Sequence, residues 1–207
     1  MTYGTVLVRS TFPPSRRPIY LYPIAELSRK NYETSIAPIA AAINKILSTR
    51  DGRTLVHTVS YDLNKALNQR LHQTRPVFTY ASSAAKPQAI EGYLSHPDSI
   101  LLAPSLDRGI DLPEDDCRHI IIPKIPFPSI GDKQVSSRLY SKGGRLWYSV
   151  KTIRSLVQMT GRGFRSEDDY CETYILDKTF LTNIWRQSKH LLPEWWKEAL
   201  VWDAGPL

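Results

Sequence analysis

Short apolar runs that alternate with helical patterns constrain this chain more than any other feature. The run RHIIIP has three consecutive isoleucines, as expected of a strand in a parallel sheet that helices cover on both faces. This alternation predicts one doubly wound α/β domain. The predicted strands cover residues 54–60, 76–80, 99–103, 118–123 and 173–177, and the predicted helices cover 33–48, 62–72, 84–95, 147–162 and parts of 178–201.

Two segments lie outside this alternation. Residues 1–25 contain four prolines, which disfavour a regular helix, so we expect an extended segment that leads across the domain. Residues 129–145 are polar and contain glycine, which predicts a mobile connection with room for a short helix. We therefore divide one domain of 207 residues into three parts: the leading segment and first helix at 1–50, the core sheet at 51–178 and C-terminal helices at 179–207.

Composition limits the classes of partner and site. Lys and Arg number 27 against 20 Asp and Glu, a net charge of +7, which favours a polyanionic partner such as nucleic acid. The two cysteines, Cys117 and Cys171, form no CxxC pair, and the histidines show no ligand spacing, so we predict no metal site. No apolar run approaches the roughly 18–20 residues of a membrane span. The sequence thus predicts a cytoplasmic protein without a membrane partner.

A basic stripe lies near the end of one long predicted helix. Gln158, Arg162 and Arg165 are spaced i, i+4 and i+7, so on a helix their side chains would lie along one line. Gly161 and Gly163 lie beside them, where each costs roughly 1 kcal/mol of helix stability relative to alanine. A planar guanidinium suits two-point binding of phosphate. The pattern favours a phosphate-facing role, with a solvated basic helix face as the alternative.

A loop with both charge signs follows the third predicted strand. It reads APSLDRGIDLP, with Asp107, Arg108 and Asp111 close together and Gly109 able to adopt an unusual backbone angle. Ligand sites in doubly wound sheets gather past the carboxyl ends of strands. An aspartate there could orient an arginine of a neighbouring helix. An ordinary polar turn is the alternative.

Together the two segments resemble motifs V and VI of superfamily 2 helicases. Residues 105–111 (SLDRGID) resemble motif V, and residues 158–165 (QMTGRGFR) resemble motif VI with its Q-x-x-G-R-x-x-R core. Residues 52–61 (GRTLVHTVSY) resemble motif IV. The XPD/DinG group is favoured by the stretches STFPP at 10–14, IIPKIPFP at 121–128, SEDDY at 166–170 and ILD at 175–177. The resemblance spans nearly the whole chain, and motif VI is its most specific element.

The resemblance implies a RecA-like fold, a three-layer α/β/α sandwich with a mostly parallel central sheet. It also implies the second motor domain of an ATP-dependent DNA helicase. In that role Arg162 and Arg165 would be arginine fingers that contact the γ-phosphate, Gln158 would couple the site, and Gly109 and Asp111 would lie at the nucleotide. An arginine finger contributes roughly 10³–10⁵ in rate, because phosphoryl transfer depends on neutralising charge.

The resemblance further implies contacts with single-stranded or duplex DNA. The positions that match the family's strand contacts are Ser60, Tyr61, Ser105 and Arg108. Hydroxyls and cations contact the nucleic-acid backbone without reading the bases, as movement along a strand requires.

The half of the site that grips the phosphates is absent from the sequence. There is no G-x-x-x-x-G-K-[ST] motif and no DEAH-like motif. We therefore expect ATP and Mg²⁺ to be held mainly by an N-terminal RecA-like domain that carries the Walker motifs, and the isolated chain to be inactive. Two cysteines cannot build a four-cysteine iron–sulfur cluster, so none is expected in this chain. An excised domain and one half of a split enzyme both remain open.

Two other functions also remain open. One is a non-catalytic nucleic-acid-binding module that keeps the RecA-like fold without a partner domain. The other is an unrelated α/β enzyme that acts on a phosphorylated metabolite.

Overall fold

The structure is a computed structural model that describes residues 12–104, 112–163 and 169–207. Its strands are β1 Ile19–Ala25, β2 Thr54–His57, β3 Val77–Thr79, β4 Ile100–Ala103, β5 His119–Ile122, β6 Glu172–Asp177 and β7 Leu200–Val201. They form one sheet in the order β3-β4-β2-β5-β6-β1-β7. All strand pairings in the described ranges are parallel, which confirms the predicted parallel α/β architecture.

Helices form the two outer layers. The α-helices are α1 Tyr32–Thr49, α2 Tyr61–Asn68, α3 Lys86–Leu94, α4 Lys133–Leu139, α5 Gly144–Thr160, α6 Arg186–Ser188 and α7 Glu194–Lys197. A π-helix covers Phe180–Trp185, and short 3-10 helices cover Pro14–Arg16, Ser83–Ala85, Glu114–Asp116 and Lys189–Leu191. No helix in the described ranges combines the length and the apolar content that crossing a membrane requires.

The alternation of side chains along each strand builds the two halves of the core. On β2, Leu55 packs in one cluster with Ile153 and Leu156 of α5, whereas Val56 packs in the other cluster with Ile43 of α1. Successive side chains of a strand point to opposite faces of the sheet. Helices α1 and α2 therefore cover one face, while α3, α5 and the C-terminal helices cover the other. The result is the predicted three-layer sandwich.

Strand β1 lies inside the proline-rich segment. Its first three residues pair in register with β6, and the pairing resumes only at Ala25 after an irregularity. Pro23 falls in that irregular stretch, where a residue without an N–H group is tolerated. The segment is extended as predicted, but it belongs to the central sheet. The sheet therefore reaches beyond residues 51–178, since β1 precedes this range and β7 follows it.

The polar connection between β5 and α5 folds partly into α4. Asp132 caps this helix, because its Oδ1 accepts hydrogen bonds from the amides of Gln134 at 2.8 Å and Val135 at 3.4 Å. Gly143, with a φ of 78°, then turns the chain into α5. Only glycine adopts this left-handed conformation without strain. The short helix that the sequence left open is thus present.

Candidate functional site

The structure describes Gln158, Arg162, Ser60 and Tyr61 among the predicted site residues. The other predicted site residues, Arg165, Ser105, Arg108, Gly109 and Asp111, lie outside the described residues. The geometry of the candidate site therefore rests on the end of α5, the end of β2 and the start of α2.

Helix α5 ends earlier than the sequence predicted. Its last residue is Thr160, and Gly161 forms the C-cap with φ −98° and ψ 9°. Gln158 lies exposed on the last helical turn, whereas Arg162 lies half-buried on the turn formed by residues 161–163. The predicted helical stripe therefore stops at Gln158, because glycines disfavour continuing the helix. The contacts of the turn, and not helical spacing, set the position of Arg162.

Hydrogen bonds hold the turn that carries Arg162 at both ends. The amide of Leu112, directly after the motif V segment, donates to the carbonyl of Arg162 at 3.4 Å. The indole Nε1 of Trp196 donates to Oγ1 of Thr160 at 2.8 Å, in a buried environment. The turn is thus joined to two distant parts of the chain, the segment after motif V and helix α7.

Close packing at Gly163 fixes the turn further. A Cβ at this position would lie 2.7 Å from Sγ of Cys171 and 2.8 Å from the carbonyl oxygen of Cys117. Both distances are shorter than van der Waals contact, so any side chain here would displace the backbone. At Gly161 a Cβ would meet the carbonyl of Val157 at 3.6 Å, an ordinary contact. Of these two glycines, Gly163 alone is therefore at a close backbone approach that excludes a side chain.

His57, the last residue of β2, lies beneath the same turn. Its side chain is 2% exposed. Burial and the nearby charge of Arg162 lower the pKa of His57 to about 3, although a hydrogen bond with the carbonyl of Met159 opposes this shift. The imidazole is therefore neutral at physiological pH. A neutral polar ring thus connects the end of β2 with the end of α5.

Ser60 and Tyr61 lie at the start of α2. The Oγ of Ser60 accepts a hydrogen bond from the amide of Leu63 at 3.2 Å and caps the helix. Val59, just before it, has a φ of 65°, a conformation that costs a non-glycine residue on the order of 1–3 kcal/mol. Tyr61 is 41% exposed and contacts Tyr80 edge-on, with 6.5 Å between ring centroids. Both residues that were predicted to contact the nucleic-acid strand are therefore on the surface.

Asn64 anchors α2 to the sheet. Its Nδ2 donates to the carbonyl of Leu102 at 2.9 Å, and its Oδ1 accepts from Oγ1 of Thr79 at 2.6 Å. Asn64 is buried, so its side-chain amide requires hydrogen-bond partners, and these two bonds supply them. The exposed side chains of Ser60 and Tyr61 are consequently presented by a helix fixed to β3 and β4.

The family-model comparison matches residues 43–199 to the helicase C-terminal domain. This chain belongs to that family. The matched range includes the end of β2, the whole of α5 and the turn at Arg162. The predicted relationship to XPD/DinG-type helicases is confirmed by the relatives and structures that follow.

This chain is similar to one part of several longer proteins. It is 27% identical over 174 residues to the ATP-dependent DNA helicase YoaA of Escherichia coli strain K12, covering 80% of this chain and 27% of YoaA. A solved XPD helicase superposes with a TM-score of 0.65 at 19% identity, over 84% of this chain and 34% of that one. Xpd4 of S. tokodaii superposes with a TM-score of 0.61 at 16% identity, over 89% and 38%. The RecA-like fold is thereby confirmed, and the chain spans about a quarter of YoaA.

The two cysteines of this helicase C-terminal domain are buried free thiols beside Gly163. Burial raises the pKa of Cys171 well above its ordinary value, and a hydrogen bond with Cys117 raises it further. A thiol that stays protonated is a poor metal ligand. In the ranges 12–104, 112–163 and 169–207, no group of three or more His, Cys, Asp or Glu side chains could hold a metal ion. Cys117 and Cys171 are core residues that shape the turn.

Sequence reasoning assigned no chemistry to His57 and so missed its place in the helicase C-terminal domain. A signal was present, because the histidine interrupts the apolar run TLVHTV of a buried strand. A buried histidine requires hydrogen-bond partners. The spacing of ligands along the sequence, which is the usual criterion for histidine, could not reveal partners about a hundred residues away.

Proposed function

We propose that this chain is the second motor domain of an ATP-dependent DNA helicase or translocase that acts inside the cell. The single observation that carries the proposal is the position of Arg162, which lies on a turn fixed by Leu112, Gly163 and Thr160. A guanidinium carried by a fixed backbone turn can neutralise phosphate charge without first ordering the chain, and phosphoryl transfer is catalysed mainly by positioning and charge neutralisation.

The residues present fit one side of an ATP site. Arg162, with Arg165, would supply cationic donors to the γ-phosphate, and Gln158 would contact the same region from the exposed last turn of α5. Gly109 and Asp111 would lie at the nucleotide. No group of three or more His, Cys, Asp or Glu side chains that could hold a metal ion occurs in the part of the chain that the structure describes. The phosphate-binding loop and the metal ligands would therefore come from an N-terminal RecA-like domain.

The nucleic-acid side of the proposal rests on exposure and charge. Ser60 and Tyr61 are exposed on an anchored helix start, and Ser105 and Arg108 are the matching positions of motif V. The net charge of +7 favours a polyanion. Hydroxyl contacts to the backbone would let the strand pass without base reading.

The proposal is tested with this chain joined to a first motor domain that carries the Walker motifs. DNA-stimulated ATP turnover is measured for the wild type, Arg162→Ala and Arg154→Ala. Arg154 is the control because it is an exposed arginine on helix α5, which leads into the turn that carries Arg162. We expect Arg162→Ala to lower kcat more than about tenfold and Arg154→Ala to leave it unchanged. The isolated chain should show no turnover.

Binding measurements separate the proposal from its alternative. Fluorescence anisotropy with single-stranded DNA, duplex DNA and RNA of equal length would report affinity for each variant. Tight binding combined with turnover that is indifferent to Arg162 would instead favour a non-catalytic nucleic-acid-binding module. Loss of turnover in Arg162→Ala with DNA affinity unchanged supports the motor.

A further inference from the structure

The imidazole of His57 is buried between the sheet and the end of α5. Leu55, two residues earlier on β2, packs in the same half of the core as Ile153 and Leu156 of α5. Because alternate residues of a strand share a face, His57 points toward α5 as well. Burying a polar ring at such a place costs free energy unless its nitrogens are hydrogen-bonded.

The two nitrogens of His57 have different surroundings. The ring hydrogen bonds with the carbonyl of Met159, while Nε2 is buried with no hydrogen-bond partner. The bond to Met159 therefore belongs to Nδ1, which must carry the proton because a carbonyl only accepts. In the neutral ring Nε2 then carries a lone pair. This buried acceptor lies close enough to Arg162 to sense its charge.

Resting on the proposed function, we propose that His57 is a positioning residue for Arg162: when ATP occupies the shared site, the buried lone pair of Nε2 accepts a hydrogen bond from the guanidinium and holds it toward the nucleotide. The proton on Nδ1 stays with the imidazole, and no bond to substrate is formed. The Met159 carbonyl keeps the ring in this tautomer, because the hydrogen bond at one ring nitrogen of a histidine sets which nitrogen carries the proton. Arginine has five donors in a planar fork, so Nε2 can engage one of them while others face a phosphate.

Two substitutions separate the two nitrogens in the joined two-domain motor. His57→Asn places an amide near the position of Nδ1, so it keeps a donor for Met159 and lacks the acceptor at Nε2. His57→Gln places its amide near Nε2 and can supply an acceptor oxygen there. We expect His57→Asn to lower kcat about tenfold with KM for ATP changed less than twofold. His57→Gln should recover most of the loss. His190→Asn, at an exposed histidine, should have no effect.

A double-mutant cycle with Arg162→Ala decides whether His57 acts through the arginine. If it does, His57→Asn has no further effect on kcat in the Arg162→Ala background. An equal fold-loss in both backgrounds would overturn the positioning role, as would full activity of His57→Asn. Arg162→Lys replaces Arg162→Ala in the cycle if residual turnover is too low to measure, and His57→Phe, which also lacks the acceptor, replaces His57→Asn if the latter does not fold.

The outcomes also separate this inference from the proposed function. Unchanged turnover in Arg162→Ala would remove the motor proposal itself. A large loss in Arg162→Ala with none in His57→Asn would leave the motor proposal intact and remove only the role of His57. Circular dichroism melts of each variant verify that it is folded.

Discussion

The amide of Leu112 donates a 3.4 Å hydrogen bond to the carbonyl of Arg162. This bond joins the segment that follows motif V to the turn of motif VI, although 50 residues separate the two in sequence. The backbone of Arg162 is therefore fixed from outside its own helix. Its position depends on tertiary contacts that can be changed one at a time.

Replacing Gly163 with alanine should destabilise the domain. The added Cβ would lie 2.7–2.8 Å from Cys171 Sγ and the Cys117 carbonyl, and overpacking of this kind costs about 1–3 kcal/mol. Urea denaturation followed by tryptophan fluorescence measures the free energy of unfolding. The matched control is Gly161→Ala, where φ is −98° and contacts are ordinary. There we expect no loss, or a gain of about 0.4–1 kcal/mol. Equal effects at both glycines would contradict the packing argument.

Substitutions of Ser60 should separate helix capping from nucleic-acid contact. Ser60→Ala removes the acceptor for the Leu63 amide and should cost about 1 kcal/mol of stability. Ser60→Asp keeps an acceptor and so keeps the stability, but its negative charge should weaken binding of single-stranded DNA several-fold. Thermal melts and anisotropy titrations are measured on both variants. If Ser60→Asp binds single-stranded DNA with wild-type affinity, the DNA does not pass beside this residue.

Arg17 should be essential for docking the N-terminal segment. Its side chain is 7% exposed, and it donates from Nε to the carbonyl of Phe12 at 2.9 Å and from Nη1 to that of Trp195 at 2.7 Å. Arg17→Ala leaves these carbonyls without their charged donor and should cost about 1–3 kcal/mol in chemical denaturation. Arg17→Lys should recover only part, since an ammonium lacks the planar fork. The exposed Arg29→Ala is the control, and a comparable loss there would refute the assignment.

Glu172 should contribute a pH-dependent part of the stability. Burial alone would raise the pKa of Glu172, but hydrogen bonds from His119, Tyr170 and Tyr174 outweigh it and lower the pKa from 4.5 to about 2. A carboxyl whose folded pKa is depressed stabilises the fold above its unfolded pKa. That stability should be lost as pH falls from about 4.5 to about 2. Glu172→Gln should flatten the unfolding free energy in this window, and an unchanged slope would contradict the prediction.

His57 should contribute a part of the stability that changes over a higher pH range than the part from Glu172. Burial and the charge of Arg162 lower its pKa from 6.5 to about 3, so the unfolded chain binds a proton before the folded chain does. Stability from the neutral ring is complete above about pH 6.5 and should decline as pH falls toward 3. His57→Phe should flatten the decline between about pH 6.5 and 4.5, where Glu172 is still ionised in both states. Denaturation series at several pH values compare the two slopes.

Local patterns were sufficient to predict most of the secondary structure. The apolar run that became β5 and the helical repeat that became α1 depend on residues only a few positions apart, so their periodicity is visible in the sequence. The motif VI pattern singled out Arg162 but placed it on a helix, whereas it lies on the turn after α5. Strand β1 was read only as an extended segment, because Pro23 argues against a regular strand and the tolerated irregularity depends on β6.

The sequence by itself determined the order of most strands and helices along the chain and the family to which the chain belongs. The tertiary structure alone decided that Gly163 packs against Cys117 and that His57 lies beneath the turn. The physical reason is range. Periodicity and propensity act within a few residues, whereas these contacts join segments from about 50 to over 100 residues apart and exist only once the sheet has brought them together.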